Sequence, residues 1–307
     1  MDLSLKKELL SICSGKVFFD EPMRNYTSLK VGGKADVIVH PKDVQDLRCI
    51  LNFLKNRRMP YYILGRGTNL LVKDGGIRGV VIHLGEGFKD IHQTKENGNN
   101  VFISAGTGVL LRDLLAYSVK NGLSGLEFAA GIPGAVGGAL AMNAGTKYGC
   151  MEDVTYSIAV MNQWGKTINH EKRDLEFSYR KLKLRDGDII LEGIFELKRA
   201  PKEEIRHKIG LYISDKRRSQ PLSLASCGCI FKNPKGYYAG QLIEDVGLKG
   251  YRIGGAMVSN VHANFIVNVG EAKARDILDL MALIGKRVKE EKGIELESEV
   301  KIIGEDA

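Results

Sequence analysis

Apolar positions along this chain recur with two periods, and their alternation predicts a mixed α+β fold. Leu3–Ile12 reads as a short amphipathic helix. Asp36–His40 reads as a strand, followed by Pro41 and a helix with Val44, Leu47, Leu51 and Leu54 on one stripe. Pro60 closes that helix, and Tyr61–Leu64 is a second strand. Val80–Leu84 and Val101–Ser104 are strand-like, separated by the polar run Glu96-Asn97-Gly98-Asn99-Asn100. A helix follows from about Val109 to Lys120, stopped by Asn121-Gly122. Tyr156–Met161, Thr167–Ile168 and Ile189–Leu197 continue a strand-rich region. The texture changes at Arg199-Ala200-Pro201-Lys202-Glu203-Glu204, a candidate boundary. Beyond it come a short helix, the Cys227–Pro234 segment and strand-like Asn264–Val267. A long helix then carries Ala274, Ile277, Leu278, Met281, Ile284 and Val288 to a stop at Gly293. Val300–Ile303 closes the chain as a strand.

Two glycine-rich segments interrupt this pattern, and each follows an apolar run. The first is Gly65-Arg66-Gly67-Thr68-Asn69-Leu70-Leu71-Val72. The second is Gly131-Ile132-Pro133-Gly134-Ala135-Val136-Gly137-Gly138, continuing to Asn143-Ala144-Gly145. Glycine lets backbone N–H groups approach an anion closely, and Thr68 and Asn69 add side-chain hydrogen bonds. Two such loops that converge fit a long ligand with a pyrophosphate at its centre, such as a dinucleotide cofactor. The nicotinamide-binding fingerprint places its glycines after the first strand of a β-α-β unit, inside the start of a helix. Here they follow the second strand, and the Gly65-x-Gly67 pair lacks the third glycine.

Composition narrows the classes. At 307 residues, 44% hydrophobic and 27% charged, the chain has room for one to three globular domains. Its net charge of +8 comes from 45 basic and 37 acidic residues. Short basic runs at Arg57-Arg58, Lys181–Arg185 and Lys216-Arg217-Arg218 lack interleaved aromatics, so they read as solvated faces or as attraction for small anions rather than for nucleic acid. Cys13, Cys49, Cys150, Cys227 and Cys229 have neither a zinc spacing nor a disulfide framework, so no metal is expected and the expected compartment is reducing. The N-terminus has no long apolar h-region, and Leu126–Met142 carries glycines and Pro133 against a membrane span; a cytoplasmic protein without a membrane partner is expected.

An ordered set of motifs now adds a specific resemblance. Asn25–Asp36, Gly65–Val72, Gly131–Gly145, Phe177-Ser178-Tyr179-Arg180, Gly228–Pro234 and Gly293–Gly304 run through nearly the whole chain. In that order they resemble the UDP-N-acetylenolpyruvoylglucosamine reductases, the MurB family, in its shorter type without an extra tyrosine-bearing loop. The resemblance implies an FAD-binding domain of the vanillyl-alcohol-oxidase/PCMH type in two lobes, plus a smaller α/β substrate-binding domain. The expected division is 1–200 for the first, with lobes of about 1–84 and 85–200, and 201–299 for the second. Residues 300–307 form a C-terminal strand that could return to the first lobe. The implied reaction is NADPH-dependent reduction of the enolpyruvyl ether of UDP-N-acetylglucosamine to UDP-N-acetylmuramate, a peptidoglycan precursor. Neither glycine loop carries a His or Cys, so the FAD is expected to be held without a covalent bond, and the protein is expected to be a monomer.

The same resemblance carries roles onto residues. FAD contacts are expected from Gly65, Gly67, Thr68, Asn69, Leu70, Gly131, Ile132, Pro133, Gly134, Gly137, Gly138 and Asn143. In the implied reaction, hydride from flavin N5 reaches the vinyl carbon and negative charge moves onto the substrate carboxylate as an enolate. A fixed guanidinium stabilises that charge more in the transition state than in the ground state, which fits Arg180. Alone, an arginine in a Tyr-Arg-Lys stretch reads as a surface residue, and Leu182 stands where the family usually has a serine. Cys229 takes the position of the family's proton-donating serine. A free thiol, with a pKa of about 8.5, is a stronger acid than a hydroxyl and can do the same work. The alternative for a free Cys is a small buried hydrophobe. Cys227, two positions earlier, shares a face with it in an extended strand. Glu299 matches a catalytic glutamate that hydrogen-bonds the enolic oxygen or helps deliver the proton, although Glu297 beside it looks alike. Tyr179, Gln220, Asn233 and His262 are the expected substrate contacts, His262 being otherwise a core histidine.

Two other functions compete. Another FAD-dependent oxidoreductase of the same fold would keep the glycine loops without needing Arg180, Cys229 and Glu299 in order. A nucleotide- or nucleic-acid-binding protein would use the basic surface and would be colourless.

Overall fold

The structure, a computed structural model, describes residues 3–307 as an α+β protein that divides into two compact units. The first comprises residues up to Phe18, Ile38–Gly65 and Gly79–Asp215. The second comprises Phe19–Val37, Arg66–Arg78 and Lys216–Ala307.

In the first unit, the helix Val44–Asn56 buries Leu47, Ile50, Leu51 and Leu54, as its stripe predicts. The Asp43 side chain caps it by accepting from the Asp46 N–H at 2.8 Å. The buried Asp46 carboxylate accepts in turn from the Ser14, Gly15 and Lys42 amides at 2.8–3.0 Å. Tyr61–Leu64 pairs in parallel with Val80–His83, so Gly65 leaves the sheet at the carboxyl end of its strand. A second, antiparallel sheet runs in the order Thr167–Glu171, Thr155–Met161, Ile189–Arg199, Asn100–Gly106, Ile91–Asn97, with Leu123–Ser124 added on Ile189–Arg199. Val101, Ile103, Ile158, Val160, Phe195 and Leu197 carry its core together with Leu111 and Leu114 of the helix Leu111–Asn121. Gly122, left-handed at φ 65°, ends that helix as its sequence predicts.

The strand Ile91–Asn97 is absent from the sequence expectation. It is an edge strand whose side chains after Ile91 are all exposed, so it shows no apolar alternation to read. The polar run expected as a separator is the turn of a hairpin, with Gly98 at φ 58°. The expected short helix after Arg199–Glu204 is an 18-residue one, Lys202–Ser219. Only Ile205 of it is buried, so its apolar pattern is too sparse to reveal its length.

The second unit has its own core. Ala274–Lys292 buries Ala274, Ile277, Leu280, Met281, Ile284 and Val288, each large side chain stabilising by roughly 1.5–3 kcal/mol. These pack with Leu242 and Ile243 of Ala239–Asp245 and with Ala256, Val258 and Ile266 of a three-stranded antiparallel sheet. The Asp74 carboxylate accepts from the Ala274 and Arg275 amides, both at 2.9 Å, at the negative-preferring start of the long helix. The last strand, Lys301–Ile303, pairs in parallel with Leu70–Val72, the run that follows the first glycine loop. Among the described residues no helix is long and apolar enough to cross a membrane.

Candidate active site

The first glycine loop contains two glycines held to opposite requirements. Nothing lies within 4 Å of where a Cβ on Gly65 would project. Gly67 sits at φ 59°, and a Cβ there would lie 2.0 Å from the Tyr26 carbonyl oxygen. Within the second unit, the Ser28 amide and hydroxyl donate to the Gly67 carbonyl at 3.1 and 3.4 Å. The Asn25–Ser28 motif thus buttresses the loop. Asn69 reaches the other way: its Nδ2 donates to the Glu299 carbonyl at 3.1 Å, and its own carbonyl accepts from the Lys301 amide at 3.2 Å.

The second glycine segment belongs to the first unit. Gly131 and Gly134 are at φ 68° and 144°. The Gly137 amide donates to the Thr107 carbonyl at 3.0 Å, and a Cβ at 137 would fall 1.8 Å from Thr107 Oγ1. Gly138, like Gly65, faces open space. Packing therefore explains glycine at 67 and 137 but not at 65 or 138. Openings at those two positions fit a close-lying phosphate ligand such as FAD. Gly131, Ile132 and Pro133 also line an apolar groove of about 730 Å³ with Arg112, Lys202 and Arg206.

Arg180 is the second residue of a two-residue turn between Glu176–Ser178 and Lys181–Lys183. Its backbone is left-handed at φ 59°, a turn position glycine normally takes. Its Nη1 donates to the Gly145 carbonyl at 3.1 Å, and its guanidinium lies 5.4 Å from the ring centre of exposed Tyr179. Leu182 is buried in the core of the first unit, which accounts for an apolar residue where the resemblance expects serine. Asn143, only 6% exposed, donates from Nδ2 to the Ser178 carbonyl at 3.1 Å and to Glu152 Oε2 at 3.3 Å. Its Oδ1 accepts from the Glu152 amide at 3.0 Å. Both Asn143 amide protons are thus engaged within the chain, a role its motif did not reveal.

In the second unit, residues 230–232 run beside 297–299. The Glu299 amide donates to the Ile230 carbonyl at 2.8 Å, and the Lys232 amide donates to the Glu297 carbonyl at 2.8 Å. Glu299 thereby stands opposite Ile230, the residue after Cys229. Lys232 also ion-pairs with Glu297, which separates Glu297 from Glu299. Cys227 and Cys229 do not lie in an extended strand: the backbone bends between them at Gly228, φ 82°. Cys229 is half-buried, whereas Cys227 is buried and its thiol is pushed up to about 12 by that burial. Asn233 is exposed, its Oδ1 accepting from the Ala239 amide at 3.0 Å, and Gln220 is half-buried just past the helix Lys202–Ser219.

His262 is tied into its own turn: its Nδ1 accepts from the Asn264 amide at 3.2 Å and its ring packs on Phe265. Burial, helped by Lys249, holds it below the ordinary histidine pKa, and burial with Lys16 does the same to His40. The unfolded chain thus binds protons at these rings more readily than the folded one. Their contribution is complete above about pH 6.5 and is lost as pH falls below it. The thermal midpoint should drop between pH 7.5 and 5.5, and His262→Gln should flatten that slope; an unchanged slope would count against His262.

Comparison with known proteins gives a consistent result. Residues 35–170 match the model of an "FAD binding domain". Residues 220–303 match "UDP-N-acetylenolpyruvoylglucosamine reductase, C-terminal domain". The chain is 43% identical over 305 residues to a protein of that reductase name from Syntrophus aciditrophicus, covering 99% of this chain and 97% of that one. A Listeria monocytogenes protein of the same name is 44% identical over 288 residues, covering 94% and 95%. The crystal structure of the reductase from Thermus caldophilus superposes with a TM-score of 0.78 at 38% identity, covering 94% of this chain and 98% of that one.

Proposed function

This chain belongs to the UDP-N-acetylenolpyruvoylglucosamine reductase family, and from that premise we propose how its own residues carry the reaction. It is an FAD-dependent oxidoreductase that uses NADPH to reduce UDP-N-acetylglucosamine enolpyruvyl ether to UDP-N-acetylmuramate, a peptidoglycan precursor. Bound FAD supplies the two-electron chemistry between NADPH and the enolpyruvyl double bond. Gly65, Gly67, Thr68, Asn69 and Leu70 would hold it from one loop, and Gly131, Ile132, Pro133, Gly134, Gly137, Gly138 and the main chain of Asn143, whose side-chain amide is engaged within the protein, from the other.

Arg180 sits against the substrate carboxylate and stabilises the charge that develops there as the double bond is reduced. Its forked guanidinium meets both oxygens, which a point charge cannot do. Cys229 Sγ then gives its proton to the carbon next to that carboxylate. Glu299 hydrogen-bonds the enolic oxygen or helps deliver the proton. Tyr179, Gln220, Asn233 and His262 contact the sugar nucleotide. The observation that carries this reading is the backbone pairing of 230–232 with 297–299, which brings the chain at Cys229, half-buried, to the chain at Glu299, while the neighbouring Cys227 is buried. A charge-stabilising cation and a proton donor are the two groups an addition across an enol ether requires.

The reading carries a division of labour in which residues 1–200 hold the cofactor, in lobes of about 1–84 and 85–200. Residues 201–299 hold the sugar nucleotide, and 300–307 return to the first lobe. Matches of the FAD model to 35–170 and of the reductase model to 220–303 support it. The enzyme works as a monomer in the cytoplasm. Purified protein should be yellow, bleach on anaerobic NADPH and regain its colour on adding the enolpyruvyl sugar nucleotide. Bleaching without recovery would sink the assigned substrate.

A further inference from the structure

We infer that Asn143 is a positioning residue for Arg180, an inference that rests on the catalytic reading of Arg180 above. Asn143 follows the helix Val136–Ala141 as the left-handed residue of a Schellman ending. Its amide donates to the Leu140 carbonyl at 3.0 Å, and the Ala144 amide donates to the Ala139 carbonyl at 2.8 Å. Its φ is 40°. Glycine takes such a position without a steric cost, so an asparagine here needs a reason in its side chain.

That reason is on both sides of the amide. Nδ2 holds the Ser178 carbonyl at 3.1 Å, the last strand residue before the Tyr179-Arg180 turn. Oδ1 and the second Nδ2 proton hold Glu152, through its amide at 3.0 Å and its carboxylate at 3.3 Å. Two residues on, the Gly145 carbonyl accepts from Arg180 Nη1 at 3.1 Å. One short stretch, 143–145, therefore grips the turn by its incoming strand and the catalytic guanidinium by its tip. A left-handed arginine is strained, and such a residue persists only where its surroundings fix it. Asn143 provides that fixation: it is buried, and both its donors are engaged within the chain.

The test is a double-mutant cycle on the FAD-loaded enzyme with Asn143→Gly, Arg180→Ala and the pair. Asn143→Gly keeps the left-handed backbone and removes only the amide. Expected is a fall in kcat of roughly 10–100-fold, the scale of a small misplacement of a catalytic group. Flavin content and the rate of flavin reduction by NADPH should stay at wild-type values. With Arg180 already alanine, Asn143→Gly should cost nothing further, because it acts through that guanidinium. An equal loss in both backgrounds, an unchanged kcat, or a loss of flavin in place of turnover overturns the inference. If Arg180→Ala alone turns over at the wild-type rate, the catalytic reading of Arg180 is what has failed, and this inference falls with it. Asn143→Asp, which cannot donate and sets a second carboxylate against Glu152, is run through the same cycle, so that the answer does not hang on one variant folding.

Discussion

Cys229→Ala is expected to reduce its flavin with NADPH as fast as the wild type, yet to reoxidise it with the enolpyruvyl substrate roughly 10²–10⁴-fold more slowly. The two half-reactions separate because the thiol is needed only after electrons reach the substrate, when a carbon must be protonated. Cys227 offers no substitute. It is buried, and that burial pushes its thiol pKa up to about 12. Cys229→Ser should retain substantial turnover, since a hydroxyl at the same place can still donate a proton. Stopped-flow absorbance of the two half-reactions decides the matter. Equal loss of both would mean a damaged fold, and an unslowed reoxidation in the alanine variant would remove Cys229 from the mechanism.

Arg180→Ala should lower kcat by roughly 10²–10³-fold, the usual size of losing one donor to a developing oxyanion. Arg180→Lys should recover only part of that loss, because an ammonium cannot meet a carboxylate with two parallel bonds. The lysine comparison is clean, because both residues bear the same backbone cost at φ 59°. Neither change touches the glycine positions proposed for FAD, so flavin content should hold. Turnover of the lysine variant equal to wild type would exclude the bidentate role.

Much of this was legible in sequence because the signals are local. The stripe Val44, Leu47, Leu51 and Leu54 and the stops at Gly122 and Gly293 depend on helical period and left-handed capping, which neighbours along the chain determine. The edge strand Ile91–Asn97 was not legible, since a strand exposed along its length has no apolar face to mark it. Lys202–Ser219 was underestimated for a related reason, with one buried residue in eighteen. At the site, Arg180, Cys229 and Glu299 were named through a motif order, whereas Glu152 and the internal role of Asn143 were not. No spacing rule links 143 to 178, because they meet only through packing of separate elements.

The order of residue types alone marked the candidates for chemistry: a thiol where a hydroxyl is usual, an arginine in a Tyr-Arg-Lys stretch, and two glycine loops suited to close approach. It marked them because residue type sets acidity, charge and backbone freedom before any fold exists. What the folded chain adds is a difference between near-identical neighbours. It buried Cys227 and left Cys229 half-open, and it tied Glu297 to Lys232 while aligning Glu299 with residue 230. Burial and long-range pairing are properties of the assembled core, and they separate groups that the chain alone leaves equivalent.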